Sequence, residues 1–319
     1  MTISSIEPAS ADASFRRYFR AKTVNNKVQE TWVVMDAPPE KESITEFIDI
    51  AEQLAQTGVH TPEIRAKDIE NGFLLLEDLG SRPFLDELKD NPNALYGYAI
   101  SALIKIQQGS DSTSPSKNKL PVYDKTKLNE EMDLFEQWYL NKHLGLTLDA
   151  QKKQSWEECK QILIDACLEQ PQVWVHRDYH SRNLMITDDN SPGVIDFQDM
   201  VTGPIAYDLA SIFKDCYIEW PRAQQRAWLE EYRAQANEQL GIQAISQAQL
   251  LRWYDLTALQ RHLKVLGIFC RLYYRDGKDQ YLNDLPLVAK YTLEALDLYP
   301  EFKNFKQSFA PLITQALKG

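Results

Sequence analysis

The alternation of hydrophobic and polar positions changes character along the chain. Residues 15–22 and 30–36 alternate on either side of an Asn25-Asn26 turn, which predicts a β-hairpin, and the apolar run 73–76 predicts a further strand. Beyond residue 81, apolar positions recur mainly every three or four residues, as in amphipathic helices. The pattern therefore predicts an α+β fold with its strands concentrated in the first ~80 residues.

Several helix boundaries carry local signals. Residues 43–46, Ser-Ile-Thr-Glu, are typical of a capping box at a helix start. Asn91 followed by Pro92 predicts another start, because proline suits the first helical position. Two more helices are predicted over 127–143 and 149–168, and the part after residue 204 predicts four or five amphipathic helices.

The most informative polar segment is His-Arg-Asp-Tyr-His-Ser-Arg-Asn, residues 176–183. A short β-branched and aromatic run, 173–175, leads into it, and the apolar residues 184–186 follow it. Asp-Asp-Asn at 188–190 predicts a turn back into 193–195. The predicted order is therefore strand, polar loop and hairpin.

Two acids and an amide in this region have the spacing that phosphoryl transfer requires. Asp178 would receive the proton of an acceptor hydroxyl, and the hairpin would bring Asn183 and Asp196 to adjacent strand ends. Amide and carboxylate oxygens are hard ligands that suit Mg²⁺. Asp and Asn are also common turn residues, but the strands on both sides favour a catalytic loop.

The two histidines of the loop have separate interpretations. A His-x-x-x-His zinc site needs one face of a helix, and this segment predicts a loop. His176 is therefore predicted to tie the loop to the segment around Asp196. His180 either contacts the substrate or is structural.

Composition excludes some partners. The 319 residues carry a net charge of −11, which disfavours nucleic acid and anionic membranes as partners. The chain shows neither a signal-peptide pattern at its start nor an apolar run near the ~20 residues of a membrane span, so we predict a cytoplasmic protein. The four cysteines lack Cys-x-x-Cys or zinc spacing and are predicted to be free thiols. No obligate protein partner is indicated.

Residues 176–208 resemble the aminoglycoside phosphotransferase and choline kinase superfamily. Its signature joins the catalytic loop to Ile-Asp-Phe, here 195–197, and to Gly-Pro-x-x-Tyr-Asp-Leu-Ala, here 203–210. Further segments resemble the bacterial kinases that phosphorylate the anomeric hydroxyl of N-acetylmuramate and N-acetylglucosamine in cell-wall recycling. These segments are 13–18, 34–39, 176–183, 195–199 and 260–269.

The resemblance implies a two-lobed protein-kinase-like fold that uses ATP and Mg²⁺. It has a small β-rich N-terminal lobe, residues 1–80, that binds the nucleotide, with a hinge near 77–80. A larger, mainly helical C-terminal lobe, 81–319, carries the catalytic loop 176–183 and the metal-binding segment 195–199.

The resemblance also assigns supporting roles. The backbone of Glu77 and Leu79 would pair with adenine, and Asp208 would hold the backbone of the catalytic loop. Asp199 is either a substrate contact or a turn residue. Because only eleven residues separate Asp196 from Asp208, there is no room for a long activation segment, which predicts a constitutively active enzyme with a small acceptor.

The nucleotide loop departs from the family pattern. Residues 33–36 read Val-Val-Met-Asp, so the usual strand lysine for the phosphates is missing. Ser14 offers a hydroxyl, and the backbone amides of its small neighbours could approach a phosphate. Arg17 is the predicted replacement for the lysine, with Arg16 and Lys22 as alternatives. Both arginines could instead lie on an exposed strand face.

A basic stripe is the best indication of the acceptor. Arg261, Lys264, Arg271 and Arg275 recur at helical spacing and share one face. Such a face would repel a polycation and attract a sugar that bears a carboxylate, unless it is simply solvated. Two alternatives remain: a kinase of an amino alcohol or aminoglycoside, and a catalytically weak nucleotide-binding regulator.

Overall fold

The computed structural model describes residues 2–11, 15–25, 28–111 and 120–318. By packing, the chain divides into two compact units. The first comprises residues 1–119 and 182–200, and the second comprises 120–181 and 201–319. The chain therefore changes unit directly after Ser181 and again after Met200.

An antiparallel sheet of five strands forms most of the first unit. Its strands run in the order β1-β2-β3-β5-β4. Their bounds are β1 Thr2–Ala11, β2 Arg17–Asn25, β3 Val28–Asp36, β4 Ile64–Asp68 and β5 Phe73–Glu77. The predicted hairpin is confirmed, since β2 pairs with β3 in a continuous register that sets Tyr18 opposite Met35. The apolar character of β5 follows from its position between β3 and β4, where Leu74 and Leu76 are buried.

Helices complete the first unit. Their bounds are α1 Thr45–Thr57, α2 Phe84–Glu87 and α3 Pro92–Gln108, with a 3₁₀ turn at Gly109–Asp111. Asn91 is the N-cap residue of α3, and Pro92 follows it as predicted. The capping box predicted at 43–46 does not form. Ile44 takes the N-cap position without a side-chain cap, and the Ser43 hydroxyl instead accepts a hydrogen bond from the N–H of Thr45 at 3.3 Å.

The division by packing does not coincide with the lobe boundary predicted near residue 80. Helix α3 packs on α1 and therefore belongs to the first unit. The hairpin of β7, Leu184–Met185, and β8, Gly193–Val194, joins the same unit. Its backbone bonds to the remainder of the unit: Ile186 donates to the carbonyl of Arg82 and Val194 to that of His60, at 2.8 and 2.7 Å. The hinge near 77–80 stays a prediction.

The second unit is mainly helical, as the sequence predicts. A short antiparallel pair, β6 Gln172–Val175 with β9 Val201–Pro204, precedes the last helices. The helices are α4 Lys125–Leu134, a π-helical segment Phe135–His143, α5 Ala150–Leu168, α6 Tyr207–Phe213, α7 Arg222–Gln239, α8 Gln247–Asp276, α9 Leu285–Leu298 and α10 Lys303–Ile313. Short 3₁₀ turns lie at Asp279–Asp284, Pro300–Phe302 and Thr314–Lys318.

Helix α8 is the centre of this unit. It contacts α4, α5, α6, α7 and α9 and the π-helical segment, which explains why most of its 30 residues are buried. All four cysteines are buried free thiols. Among the described residues, none of the helices combines the length and apolarity needed to span a bilayer.

Gly267 lets α8 approach the end of α4 backbone to backbone. A Cβ at this position would lie 2.3 Å from both the carbonyl carbon and oxygen of Leu134, and 2.7 Å from the nitrogen of Phe135. The π-helical segment begins at Phe135, where the sequence predicted one continuous helix over 127–143. A backbone cannot yield as a flexible side chain can, so this glycine is a packing requirement.

We expect Gly267→Ala to destabilise the fold. Alanine is favoured over glycine in a helix interior by about 1 kcal/mol, but the clash with Leu134 should outweigh this gain and cost about 1–3 kcal/mol net or more. Chemical denaturation measures the change in the free energy of unfolding. Gly277→Ala, at the C-cap of the same helix, is a comparison for backbone strain without a clash: Gly277 has a φ of 67° and open space around its Cβ position, so alanine there should cost only the ~1–2 kcal/mol of a left-handed backbone. An unchanged or increased stability of Gly267→Ala would contradict the close approach.

Candidate active site

Asp208 fixes the start of the catalytic loop. Directly after β6, the backbone N–H groups of His176 and Arg177 donate to the Asp208 carboxylate at 2.7 and 3.1 Å. Arg177 has a φ of 75°, a left-handed conformation that is unusual for a residue with a side chain. Burial raises the pKa of Asp208 to about 7, although the two N–H donors act in the opposite direction. Asp208 thus has the contacts that the resemblance implies for it.

A second buried aspartate fixes the loop further along. The N–H and the hydroxyl of Ser181 both donate to one oxygen of Asp215, at 2.9 and 2.5 Å. Sequence reasoning missed Asp215, because no local motif relates it to a residue 34 positions earlier. Between these two anchors, the His180 N–H donates to the carbonyl of Asp178 at 3.0 Å, and the His180 ring lies edge-on to Tyr217.

The second unit surrounds Asp178 with positive charge. Desolvation is the largest single effect and raises the pKa of Asp178, but the positive charges nearby together outweigh it and hold this pKa below its ordinary value. In order of their effect, these charges belong to Lys264, His180, Arg261 and Arg177. Asp178 is therefore ionised at neutral pH and can accept a proton or a hydrogen bond.

Glu131 of α4 holds two of these cations. Arg177 Nη2 lies 2.6 Å from one carboxylate oxygen of Glu131, and Lys264 Nζ lies 3.0 Å from the other. Lys264 also donates to the Tyr207 hydroxyl at 2.9 Å, and the Tyr123 hydroxyl donates to Glu131. Burial opposes the charge on Glu131, but Lys264 and Arg177 lower its pKa overall. One carboxylate thus connects α4, the catalytic loop and α8.

The predicted basic stripe of α8 does not lie in one environment. Arg261 and Lys264 are buried, so the alternative of a solvated helix face is wrong for these two. Arg271 is half-buried, and its buried Nε has no hydrogen-bond partner among the residues that the structure describes. Arg275 is exposed and pairs with the adjacent Asp276 at 2.7 Å. Arg261 and Lys264, from the N-terminal part of the stripe, are among the main charges that lower the pKa of Asp178.

Asn183 and Asp196 meet at the ends of the β7–β8 hairpin in the first unit. The Asn183 side-chain amide donates to Asp196 Oδ2 at 3.2 Å, and the Ile195 N–H donates to the carbonyl of Asn183 at 3.1 Å. Gln198 Nε2 donates to the other oxygen of Asp196 at 2.7 Å. Asp196 has a φ of 64°, and the next residue, Phe197, is buried against Phe47 with ring centroids 4.8 Å apart.

This pair fits a Mg²⁺ ion that arrives with a nucleotide. An amide oxygen and a carboxylate are hard ligands, and an ionised carboxylate has acceptor capacity beyond two amide donors. Within the described ranges, no group of three or more His, Cys, Asp or Glu side chains could hold a metal alone. Mg²⁺ commonly takes one or two protein ligands and completes its shell with water and phosphate.

The remaining predicted loop and turn residues are placed as follows. Ser14 lies outside the described residues. Asp199 is exposed in a turn at residues 198–199. His176 is fully buried, and its ring lies edge-on to that of Tyr179. Leu79 is buried in the first unit, and the Glu77 N–H donates to the carbonyl of Glu63 at 2.9 Å.

Each arginine proposed for the phosphates has an acidic neighbour. Arg16 pairs with Glu42 at 3.0 Å with little exposure, whereas Arg17 pairs with Asp36 at 2.5 Å with 63% of its side chain exposed. An exposed pair contributes only about 0–1 kcal/mol, so Arg17 could exchange Asp36 for a phosphate more readily than Arg16 could leave Glu42. Lys22 is 3.6 Å from Glu7 on the exposed sheet surface.

Arg20 is a residue that sequence reasoning missed. Its Nε and Nη2 grip the Asp78 carboxylate at 2.7 and 2.9 Å, and Nη2 also donates to the carbonyl of Gly80 at 2.8 Å. Desolvation opposes the charge of Asp78, but Arg20 lowers the pKa of this carboxylate overall. Such a two-pronged pair fixes the segment after β5, where the hinge is predicted.

Comparison with known proteins shows the family of this chain. The model of the phosphotransferase enzyme family matches residues 5–250. An N-acetylmuramate/N-acetylglucosamine kinase of Pseudomonas putida is 44% identical over 97% of this chain and 88% of its own length. A kinase of the same name from Pseudomonas aeruginosa is 43% identical over 96% of this chain and 88% of its own.

Solved structures agree on the fold. The GDP complex of an aminoglycoside 2'-phosphotransferase superposes with a TM-score of 0.63 at 13% identity, covering 92% of this chain and 94% of that one. The chain therefore has the protein-kinase-like fold and belongs to the phosphotransferase enzyme family.

Lys264→Met should raise the pKa of Asp178. Lys264 is the strongest of the charges that lower this pKa, and methionine removes the charge while it keeps most of the side-chain volume. The base form of Asp178 exists above its pKa, so the acid limb of the pH–kcat profile should move to higher pH. Arg252→Met on the same helix is the control, because Arg252 pairs with Glu301 at the surface. An unmoved acid limb in an active, folded Lys264→Met protein would show that Lys264 does not act on Asp178.

Proposed function

We propose that this protein is an ATP-dependent kinase that phosphorylates the anomeric hydroxyl of N-acetylmuramate, N-acetylglucosamine or both, to give the 1-phosphate. It would serve peptidoglycan recycling in the cytoplasm. The observation that carries the proposal is Asp178, held ionised in a loop that Asp208 and Asp215 anchor. The choice of sugar is supported by the relatives at 44% and 43% identity, which carry that name.

The pKa of Asp178 suits this acceptor. A carboxylate whose pKa lies below its ordinary value is a weak base. An anomeric hydroxyl is more acidic than an ordinary alcohol, so Asp178 can orient it by a hydrogen bond and accept its proton late in the transfer. Asn183 and Asp196 would hold Mg²⁺, which would neutralise charge on the phosphates of the nucleotide.

The nucleotide contacts follow from the first unit. Arg17 is the proposed partner of the phosphates because its present ion pair is exposed and weak. Ser14 would add a hydroxyl there, and Arg16 would support the loop through Glu42. The backbone of Glu77 and Leu79 is proposed to contact adenine, with Arg20 fixing the segment that follows β5.

Charge in the second unit disfavours a cationic acceptor. Lys264, Arg177 and Arg261 lie in one electrostatic cluster with the carboxylates of Glu131 and Asp178. An amino alcohol or aminoglycoside would bring further positive charge towards these three cations. His180 and Asp199 are the proposed contacts for the neutral hydroxyl and amide groups of the sugar.

Two substitutions should separate the roles of the acids. Asp178→Asn keeps the shape of the side chain and removes the proton acceptor, so kcat should fall by roughly a hundredfold or more with little change in ATP affinity. Asp196→Ala removes a metal ligand, so nucleotide binding that depends on Mg²⁺ should weaken together with turnover. Steady-state kinetics and nucleotide titration with Mg²⁺ or chelator measure both. Near-native turnover of Asp178→Asn would refute the assignment of the base.

Substrate analogues test which hydroxyl reacts. The 1-O-methyl glycoside of N-acetylglucosamine has no anomeric hydroxyl proton to give to Asp178 and should not turn over, whereas the 6-deoxy sugar should react normally. Coupled ADP release measures turnover, and ³¹P NMR locates the phosphate on the product. Phosphate on the 6-hydroxyl would contradict the anomeric assignment. If the enzyme phosphorylated choline or an aminoglycoside and neither sugar, the acceptor would be an amino alcohol or aminoglycoside and the proposed acceptor class would be wrong.

A further inference from the structure

Arg261 is a buried cation whose charge has no carboxylate partner among the described residues. It lies near the middle of α8, and only 5% of its surface is exposed. Within the described ranges, its one hydrogen bond goes from Nη1 to the sulfur of Cys216 at 3.5 Å. Among the described residues, no carboxylate oxygen lies within 4.0 Å of a guanidinium nitrogen of Arg261, which is the distance that defines an ion pair.

The other buried cations of the same unit are satisfied. Lys160 pairs with Asp133 at 2.8 Å, Lys214 with Asp255 at 3.1 Å, and Lys264 with Glu131 at 3.0 Å. All three lie among the buried side chains of the described residues, as Arg261 does. Buried charges in proteins are generally paired because desolvation is costly. Arg261 is therefore the exception in a unit that otherwise follows this rule.

Cys216 does not compensate the charge of Arg261. Burial raises the pKa of the Cys216 thiol to about 11, so the sulfur is a neutral and weak acceptor at physiological pH. A guanidinium stays protonated in proteins and carries five N–H donors in a flat fork, which matches the oxygens of a carboxylate or phosphate. The contact with sulfur uses one of these donors.

The charge of Arg261 acts on the groups around the catalytic base. It lowers the pKa of Asp178, and the charges of Asp178 and Asp215 act on Arg261 in turn. Asp215 also anchors Ser181 in the catalytic loop. Arg261 also contacts Cys216, the residue directly after Asp215, so an oxyanion bound by Arg261 would lie next to the segment that anchors the catalytic loop.

We propose that Arg261 binds an oxyanion of a reactant beside Asp178. The inference rests on the proposed function for the identity of that reactant. Two sources share the chemistry: the lactyl carboxylate, which N-acetylmuramate has and N-acetylglucosamine lacks, and the phosphoryl group in transfer, which is present with either sugar. In both cases the anion supplies the direct ion-pair partner that Arg261 lacks among the described residues.

The kinetic test compares Arg261→Met with wild type on both sugars at saturating ATP. Loss of a charge-assisted, two-pronged contact should lower kcat/KM by about ten- to a hundredfold. A loss confined to N-acetylmuramate identifies the carboxylate, and an equal loss on both sugars identifies the phosphoryl group. Arg261→Lys keeps the charge but not the fork, so it should lose less. It also serves as the test variant if Arg261→Met does not fold.

Arg252→Met is the matched control, since Arg252 lies on the same helix and pairs with Glu301 at the surface. If the folded Arg261 variants match this control on both sugars, the proposal is wrong. A second experiment measures the shift in melting temperature that inorganic phosphate or lactate causes in the absence of nucleotide. Because it needs no turnover, it distinguishes failure of the oxyanion proposal from failure of the proposed function. When wild type turns over neither sugar, an anion-induced shift that Arg261→Met loses still supports the oxyanion site, and identical shifts in both proteins overturn it.

Discussion

The sharing of Glu131 between Arg177 and Lys264 is the interaction on which the second unit depends most. Glu131 comes from α4, Arg177 from the catalytic loop and Lys264 from α8, so one buried carboxylate fixes three elements. Breaking a buried ion pair by removal of one partner costs about 3–5 kcal/mol, because the other charge is left uncompensated. The left-handed backbone of Arg177 is held by this contact and by the Asp208 carboxylate together.

This arrangement also determines the ionisation of Asp178, the proposed base. Glu131 neutralises only part of the positive charge near Asp178, and the remainder keeps Asp178 ionised despite its desolvation. A base of this kind suits an acidic hydroxyl, and its cationic surroundings suit a reactant that carries negative charge. The anchoring of the loop, the pKa of Asp178 and the proposed binding of an oxyanion therefore have a common electrostatic origin.

In the first unit, a local hairpin positions the polar side chains. A hairpin of two-residue strands brings Asn183 and Asp196 within hydrogen-bond distance, although thirteen positions separate them in sequence. Phe197 fixes the segment by burial against Phe47 of α1. The Arg20–Asp78 pair holds the segment after β5 in the same unit. The proposed metal ligands Asn183 and Asp196 and the segment after β5 therefore both rest on a packed sheet-and-helix layer.

The sequence alone predicted what depends on short separations: the β2–β3 hairpin, the loop 176–183, the meeting of Asn183 and Asp196, and the family itself through its motifs. Only the tertiary structure revealed the long-range contacts of Glu131, Asp215 and Arg20, whose partners lie 46, 34 and 58 positions away. It also decided that Arg261 and Lys264 are buried and Arg275 is exposed, although the three share one helical spacing. Periodicity identifies which residues share a face of a helix, but what covers that face depends on elements that are distant in the chain.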